Sequence, residues 1–321
     1  MFCSVIIPTI GRPTVSRAVV SALEQGFGDD SFEVVVVNDS GQTLSEARWQ
    51  HDGRVRIIHT NQRERSVARN SGAAVARGEY LCFLDDDDWL LPGALAEMWD
   101  LAVQAKDAAW LYGGIRVMGE DGRCLAEINS GLRGQCLAQV MGGAWVPIQS
   151  SFIRSAAFFA VGGYDPSICG TEDQDLCRRI ALRGRLANTP ATIASLLRGD
   201  TWHTSTNYQR AAADTRRSRD VVLNEPGAFR QLLSSASSSY WYGRLLRVYL
   251  STVNYNMRRG SWMTAASRAL FGLMSLAMAG RHVFSLDYWR GARDAHVPGT
   301  LHFVMAEQEE KRDGSSSAVH E

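Results

Sequence analysis

The sequence predicts an α/β fold, a doubly wound, mostly parallel sheet followed by a C-terminal helical extension. Three observations predict it. Short apolar runs alternate with amphipathic stretches over the first hundred residues. Polar clusters follow the first, second and fourth of those runs. The composition changes after about residue 215, where tryptophan, tyrosine and arginine become frequent at helical spacing.

Each element follows from its residues. Cys3 to Pro8 is an apolar run of strand length, and Gly11-Arg12-Pro13 is a turn. From Thr14, the residues Val15, Ala18, Val19, Ala22 and Leu23 recur with helical period until Gly26 and Gly28. Phe32 to Val37 is a continuous run that is β-branched from Val34 on, which marks a strand covered on both faces. It ends in Asn38-Asp39-Ser40-Gly41. Val55 to His59 is a third strand, Ser66 to Arg77 a helix stopped by Gly78, and Tyr80 to Leu84 a fourth strand. Alternation at this interval implies right-handed crossovers and a parallel sheet, with ligands beyond the carboxyl ends of the strands. Further on, Trp110 to Met118 and Arg123 to Ile128 read as strands paired around Glu120-Asp121-Gly122. Gly162-Gly163-Tyr164-Asp165-Pro166 reads as a loop, and Thr171-Glu172-Asp173 opens a helix closed by Gly184. After the serine-rich joint Ser234 to Ser239 come two helices, about 240–257 and 261–280. The expected domains are 1–215 for the sheet, 216–306 for the helical region, and 307–321 as a disordered, charged and serine-rich tail.

Composition excludes several functions. The chain has 321 residues, 34 basic and 34 acidic, so no bulk charge draws it to nucleic acid. The lysines are Lys106 and Lys311, which leaves no Gly-Lys-Ser/Thr phosphate loop and argues against Schiff-base chemistry. The first strand is not followed by the G-x-G-x-x-G fingerprint of dinucleotide binding. The six cysteines are scattered without C-x-x-C, and Cys3 and Cys82, inside apolar strand-like runs, read as reduced core residues of a cytoplasmic protein. Neither a signal-peptide pattern nor an apolar run long enough to span a membrane is evident.

The densest chemistry is Asp85-Asp86-Asp87-Asp88, at the end of the fourth strand and before Trp89. Carboxylates this close repel one another and raise their own pKa values unless a cation neutralises them. Oxygen donors of this kind select Mg²⁺, Mn²⁺ or Ca²⁺ over zinc. A solvated acidic turn that caps the next helix is the plain alternative.

Five segments in this order resemble the glycosyltransferases of family 2, whose nucleotide-sugar-binding fold is called GT-A. They are Ser4-Val-Ile-Ile-Pro-Thr9, Val34-Val-Val-Val-Asn-Asp-Ser-Gly41, Ala68-Arg-Asn-Ser-Gly72, Phe83-Leu-Asp-Asp-Asp-Asp-Trp89 and Gly170-Thr-Glu-Asp-Gln-Asp-Leu176. The resemblance covers about residues 3 to 210. It implies inverting transfer of one sugar from a nucleoside-diphosphate sugar to an acceptor hydroxyl, aided by Mg²⁺ or Mn²⁺. Asp85 and Asp87 match the family's Asp-x-Asp motif. Asp87 is then the direct metal ligand, Asp85 faces the ribose or the metal's water shell, and Asp86 fills the variable position. Asp88 contacts the sugar or starts the next helix. Thr9, Arg12, Arg69 and Asn70 fall where the family touches the nucleotide. Asp39 falls where it reads uracil or thymine, unless it only caps a turn.

The pair Glu172 and Asp173 resembles the family's Glu-Asp motif, with Asp173 as base and Glu172 toward the donor sugar or acceptor. His203 matches a late histidine that in some members reaches the metal, and a structural role is equally open to it. The processive synthases' Gln-x-x-Arg-Trp motif and flanking membrane spans are missing, so single-sugar transfer in surface polysaccharide biosynthesis is expected. The acceptor is a glycan, a lipid-linked sugar or a protein. A non-catalytic nucleotide-sugar or glycan binder is the alternative. The C-terminal aromatics and arginines fit two roles, packing or acceptor binding on one hand and peripheral docking at the inner face of a membrane on the other.

Overall fold

The computed structural model describes residues 1–28, 31–61, 64–198, 208–234, 238–258 and 260–293. His203 and the tail 307–321 lie outside the described residues. The chain divides into two units. The first holds residues 1–136 and 146–228, and the second holds 137–145 and the chain from 229 on.

In chain order the elements begin β1 (Cys3–Thr9), α1 (Val15–Leu23), β2 (Phe32–Asn38), β3 (Val55–His59), α2 (Arg65–Val75), β4 (Tyr80–Phe83), β5 (Trp89–Leu90) and α3 (Ala94–Gln104). Then come β6 (Ala108–Gly119), β7 (Cys124–Ile128), α4 (Leu137–Met141), β8 (Ser151–Arg154), α5 (Ser155–Ala160), α6 (Glu172–Arg183) and β9 (Arg185–Arg198). The helices α7 (Tyr208–Leu223), α8 (Ala228–Ser234), α9 (Ser238–Arg258), α10 (Trp262–Ala279) and α11 (Leu286–Arg293) follow.

One sheet organises the first unit, in the order β3-β2-β1-β4-β8-β6-β9-β5, with β7 paired to β6. Its first four strands are parallel, as the alternation predicts. β8 is antiparallel to both β4 and β6, while β6 and β9 run parallel to each other. β1 and β2 are buried along almost their whole length, which explains their unbroken apolar runs. β3 is the edge strand and only half-buried. β5, β8 and β9 are not placed by the sequence reading. β5 and β8 are too short to carry a period, and Asn188-Thr189-Pro190 interrupts β9 where its register with β6 shifts.

Two glycines fix the approach of other elements to this frame. A Cβ on Gly72 of α2 would lie 2.5 Å from Cγ2 of Ile6 and 2.9 Å from Cγ2 of Val37. The helix can therefore settle against β1 and β2 only without a side chain there. Gly163 has φ +69° and brings its backbone against Asn70 and Phe158.

The second unit is helical. Tyr242, Ala279 and Tyr288 form its small core, with Trp241, Leu245, Leu246, Val283 and Ala292 packed around them. α4 packs on α9 within it. Among the described residues no helix is long and apolar enough to cross a membrane.

Candidate active site

The carboxyl ends of the parallel strands deliver the polar residues to one edge. Thr9 ends β1, Asp39 follows β2, and the four aspartates follow β4. The backbone N–H of Asp39 donates to Thr9 O at 2.8 Å, so the first two loops are tied where the strands end.

Thr9 and Arg12 both reach the aspartates. The Thr9 hydroxyl donates to Asp86 at 2.6 Å, and Arg12 Nη1 bonds Asp86 at 2.9 Å and Asp87 at 3.0 Å. Arg17 Nη2 donates to the carbonyl of Asp87 at 2.6 Å and lies over the ring of Trp89 at 4.0 Å. Asp86 is buried, and desolvation pushes its carboxyl up to about 6 against the pull of Thr9 and Arg12. Burial also raises Asp87, with the charge of Asp85 adding to it.

Asp85, Asp87 and Asp88 each present a carboxylate oxygen, and these three oxygens lie within 4.8 Å of one another. An all-oxygen donor set of three carboxylates fits a hard divalent cation. Asp88, the most buried, is pushed well above the usual carboxylate range by desolvation and then by Asp85 and Asp87. Asp85 behaves oppositely. Burial alone would raise it, but the Arg69 guanidinium, bonded at 2.7 Å, holds it below the ordinary value. Asp88 does not start a helix. α3 begins at Ala94 behind Gly93, and Asp88 accepts instead from the N–H of Leu197 on β9 at 3.0 Å.

Asp39 is buried and engages the chain itself. It accepts from the Thr60 hydroxyl at 2.7 Å and from the N–H of Glu64 at 2.8 Å. Glu64 in turn caps α2, accepting from the N–H groups of Ser66 and Val67. The loop after β2 thus fixes where α2 starts, and with it Arg69 and Asn70.

Arg69 is buried and joins three acids. Besides Asp85, its guanidinium lies 3.3 Å from Glu172 and 3.5 Å from Asp173, and 5.2 Å over the ring of Tyr164. Desolvation would lower Arg69, but the surrounding acids, Asp85 first, outweigh it and hold the charge in place. Asn70 uses both ends of its amide on the Tyr164 backbone, donating to O and accepting from N–H at 2.9 Å each. It clasps the loop 162–166 that precedes α6.

α6 begins with Glu172, Asp173 and Asp175, where the helix N-terminus favours negative charge. Glu172 is buried, with Oε1 shared by Arg65 and Arg69 at 3.3 Å each and Oε2 without a partner among the described residues. Asp175 is bound by Arg179 one turn on, as a structural acid. Desolvation pushes the Asp173 carboxyl up to about 7, with Glu172 and Asp85 adding to it and Arg69 opposing. A carboxylate poised there can accept a proton from a hydroxyl near neutral pH.

The sequence reading misses Gln149 and Arg65. The Gln149 side chain, on a short 3-10 turn (Ile148–Ser150) outside every motif, favours the charged forms of Asp85 and Asp88, and nothing in the sequence points to it. Arg65 stands four residues before Arg69, a spacing that places both on one helical face and was available as a signal.

The fold that carries this edge is the GT-A fold. The crystal structure of S. aureus TarS 1-349 in complex with UDP-GlcNAc superposes with a TM-score of 0.58 at 17% identity, over 84% of this chain and 90% of that one. Residues 4–144 match the family described as Glycosyl transferase family 2. A poly(ribitol-phosphate) beta-N-acetylglucosaminyltransferase, TarP of Staphylococcus aureus (strain N315), is 33% identical over 104 residues, which are 30% of this chain and 32% of that protein. The glycosyltransferase EpsJ of Bacillus subtilis (strain 168) is 36% identical over 93 residues, 27% of this chain and 26% of the relative. The chain thus spans about a third or less of the length of either relative. Glu172 and Asp173 lie beyond the matched segment.

Proposed function

We propose that this protein is a metal-dependent, inverting glycosyltransferase. It moves one sugar from a UDP- or dTDP-sugar to a hydroxyl of a glycan, lipid-linked or protein acceptor in surface polysaccharide biosynthesis. One observation carries this reading. The single buried guanidinium of Arg69 joins Asp85 of the aspartate run to Glu172 and Asp173 of α6. The group that would meet the diphosphate and the group that would meet the acceptor are therefore held around one centre.

A divalent cation held by Asp85, Asp87 and Asp88 would supply positive charge to the departing nucleoside diphosphate. The chain's own residues do the remainder. Arg12, about half exposed and paired with Asp86 and Asp87, would have to exchange those partners to meet a phosphate. Asp39 keeps acceptor capacity for a base N–H, because each carboxylate oxygen can take more than one bond. Asn70 serves as a positioning residue through Tyr164. Asp173 takes the proton from the acceptor hydroxyl while the helix terminus keeps it in place. The UDP-GlcNAc named with TarS and the poly(ribitol-phosphate) acceptor in the name of TarP favour a uridine donor and a polymer acceptor.

The test is a thermal-shift screen of nucleotide sugars with and without Mn²⁺, followed by donor turnover. A UDP- or dTDP-sugar is expected to raise the melting temperature only with the cation, since a ligand at about a hundred times its Kd adds roughly 2.7 kcal/mol. Asp87→Ala is expected to abolish the cation dependence. Asp173→Asn is expected to bind donor normally and to lose about 10²–10⁴-fold in kcat. An Asp87→Ala variant with full activity would remove the metal role.

A further inference from the structure

The second unit contains a helix whose polarity is reversed for water. The buried positions of α10 are all small: Ala265, Gly272, Ser275 and Ala279. At a helix's 100° per residue they share one face, and this face packs on α9. The bulky residues lie on the opposite side. Met263 is 89% exposed, Met278 67%, Leu273 66% and Leu270 58%. Beyond the helix, Phe284 and Leu286 continue the apolar surface, 89% and 80% exposed. A helix at a water-facing surface normally buries the opposite set, and an apolar surface this continuous marks an interaction site.

Its chemistry names the partner. Residues 229–293 contain nine arginines and one acid, Asp287, although the whole chain is balanced at 34 basic and 34 acidic residues. Arg281, Arg290 and Arg293 are exposed in the segment that follows α10. Exposed Leu, Met and Phe beside arginines fit a bilayer interface, with acyl chains for the apolar face and lipid phosphates for the guanidinium groups. A second copy of the chain fits worse, because a symmetric contact would set this cationic segment against itself. Since no described helix can span a bilayer, α10 must lie in its plane.

We propose that α10 and the stretch through Leu286 dock this protein onto an anionic phospholipid membrane, with the Met263, Leu270 and Leu273 side in the acyl boundary. This goes beyond the sugar-transfer reading and does not depend on it.

The experiment is co-sedimentation of the full chain with phosphatidylcholine vesicles, with and without phosphatidylglycerol, at low and high salt. The protein is expected to pellet with the phosphatidylglycerol vesicles, and less so in high salt. Leu270→Glu with Leu273→Glu, both at exposed positions, is expected to weaken binding at least tenfold while the circular dichroism spectrum is kept. If that pair impairs folding, Arg281→Ala with Arg290→Ala serves instead, with an expected loss of about fivefold for each charge. Donor-induced thermal shift is expected to be unchanged in either variant, which separates failure here from failure of the transferase reading. Equal binding to neutral and anionic vesicles overturns the proposal, as does no binding to either. A dimer that the leucine variants split, with no vesicle binding by the parent, overturns it in favour of self-association.

Discussion

At Arg69 the desolvation of a buried cation is offset by three acids brought from two parts of the chain. Losing one partner of such a buried group leaves the others uncompensated, at a cost of about 3–5 kcal/mol. Arg69→Met is therefore expected to lower the melting temperature markedly and to abolish turnover. A calorimetric melt close to that of the parent protein would show the acids are solvated instead. Asp173 carries a pH dependence of definite sign. An ordinary aspartate titrates near 4, and this one is raised to about 7 by its surroundings. In its proposed role as base it works unprotonated, so kcat/KM is expected to rise with pH to about 7 and then level. The fold favours the protonated form, so this group contributes stability below about pH 4 that is lost as pH rises through 7. Asp173→Asn is expected to melt higher than the parent at pH 8 and equally at pH 4. The positions of Asp85, Asp87 and Asp173 were visible in short motifs because each motif joins a strand end or a helix start to its acids. Gln149 was invisible, since the aspartates it acts on are more than sixty residues away and its 3-10 turn of three residues is too short to show a period.

Among the elements, α2 shows how a motif can be about packing as much as chemistry. Gly72 costs about 1 kcal/mol of helix propensity relative to alanine, yet a Cβ there would press into Ile6 and Val37. Gly72→Ala is expected to destabilise the protein by about 1–3 kcal/mol, read as a lower midpoint in urea, with further loss of activity because α2 carries Arg69. An unchanged midpoint would mean that β1 and β2 yield easily. The four parallel strands and their helices were legible because burial on both faces demands continuous apolar residues. β9 was not, although it is the longest strand described. Its Asn188 and Thr189 are buried polar residues bonded to the neighbouring loop, with Asn188 donating to Asn129 at 2.8 Å. Such a strand follows partners rather than a pattern.

Over the whole molecule, the two units differ in how they depend on sequence order. The first is one sheet with its helices. The second takes α4 from the middle of the chain, and its Leu137, Val140 and Met141 are buried. A boundary near residue 215 is what composition alone offers, since arginine and aromatic content changes there. The contacts divide the chain at 228 and assign 137–145 to the helices. Truncation after residue 228 removes α9 from α4, so the shortened chain is expected to aggregate or to melt lower than the full one. Light scattering during a thermal ramp would test this, and a monodisperse fragment with unchanged melting would refute it.

The Asn70 amide, which engages the Tyr164 backbone at both ends, has a consequence for anyone who redesigns this protein. Residues 162–166 lead directly into the acids of α6, and their anchor stands one position from Arg69. Under the proposed function, exchanging the loop to admit a new acceptor would therefore disturb the fit of the donor as well. Altered specificity at one end will need compensating changes at the other, selected together rather than one after the other.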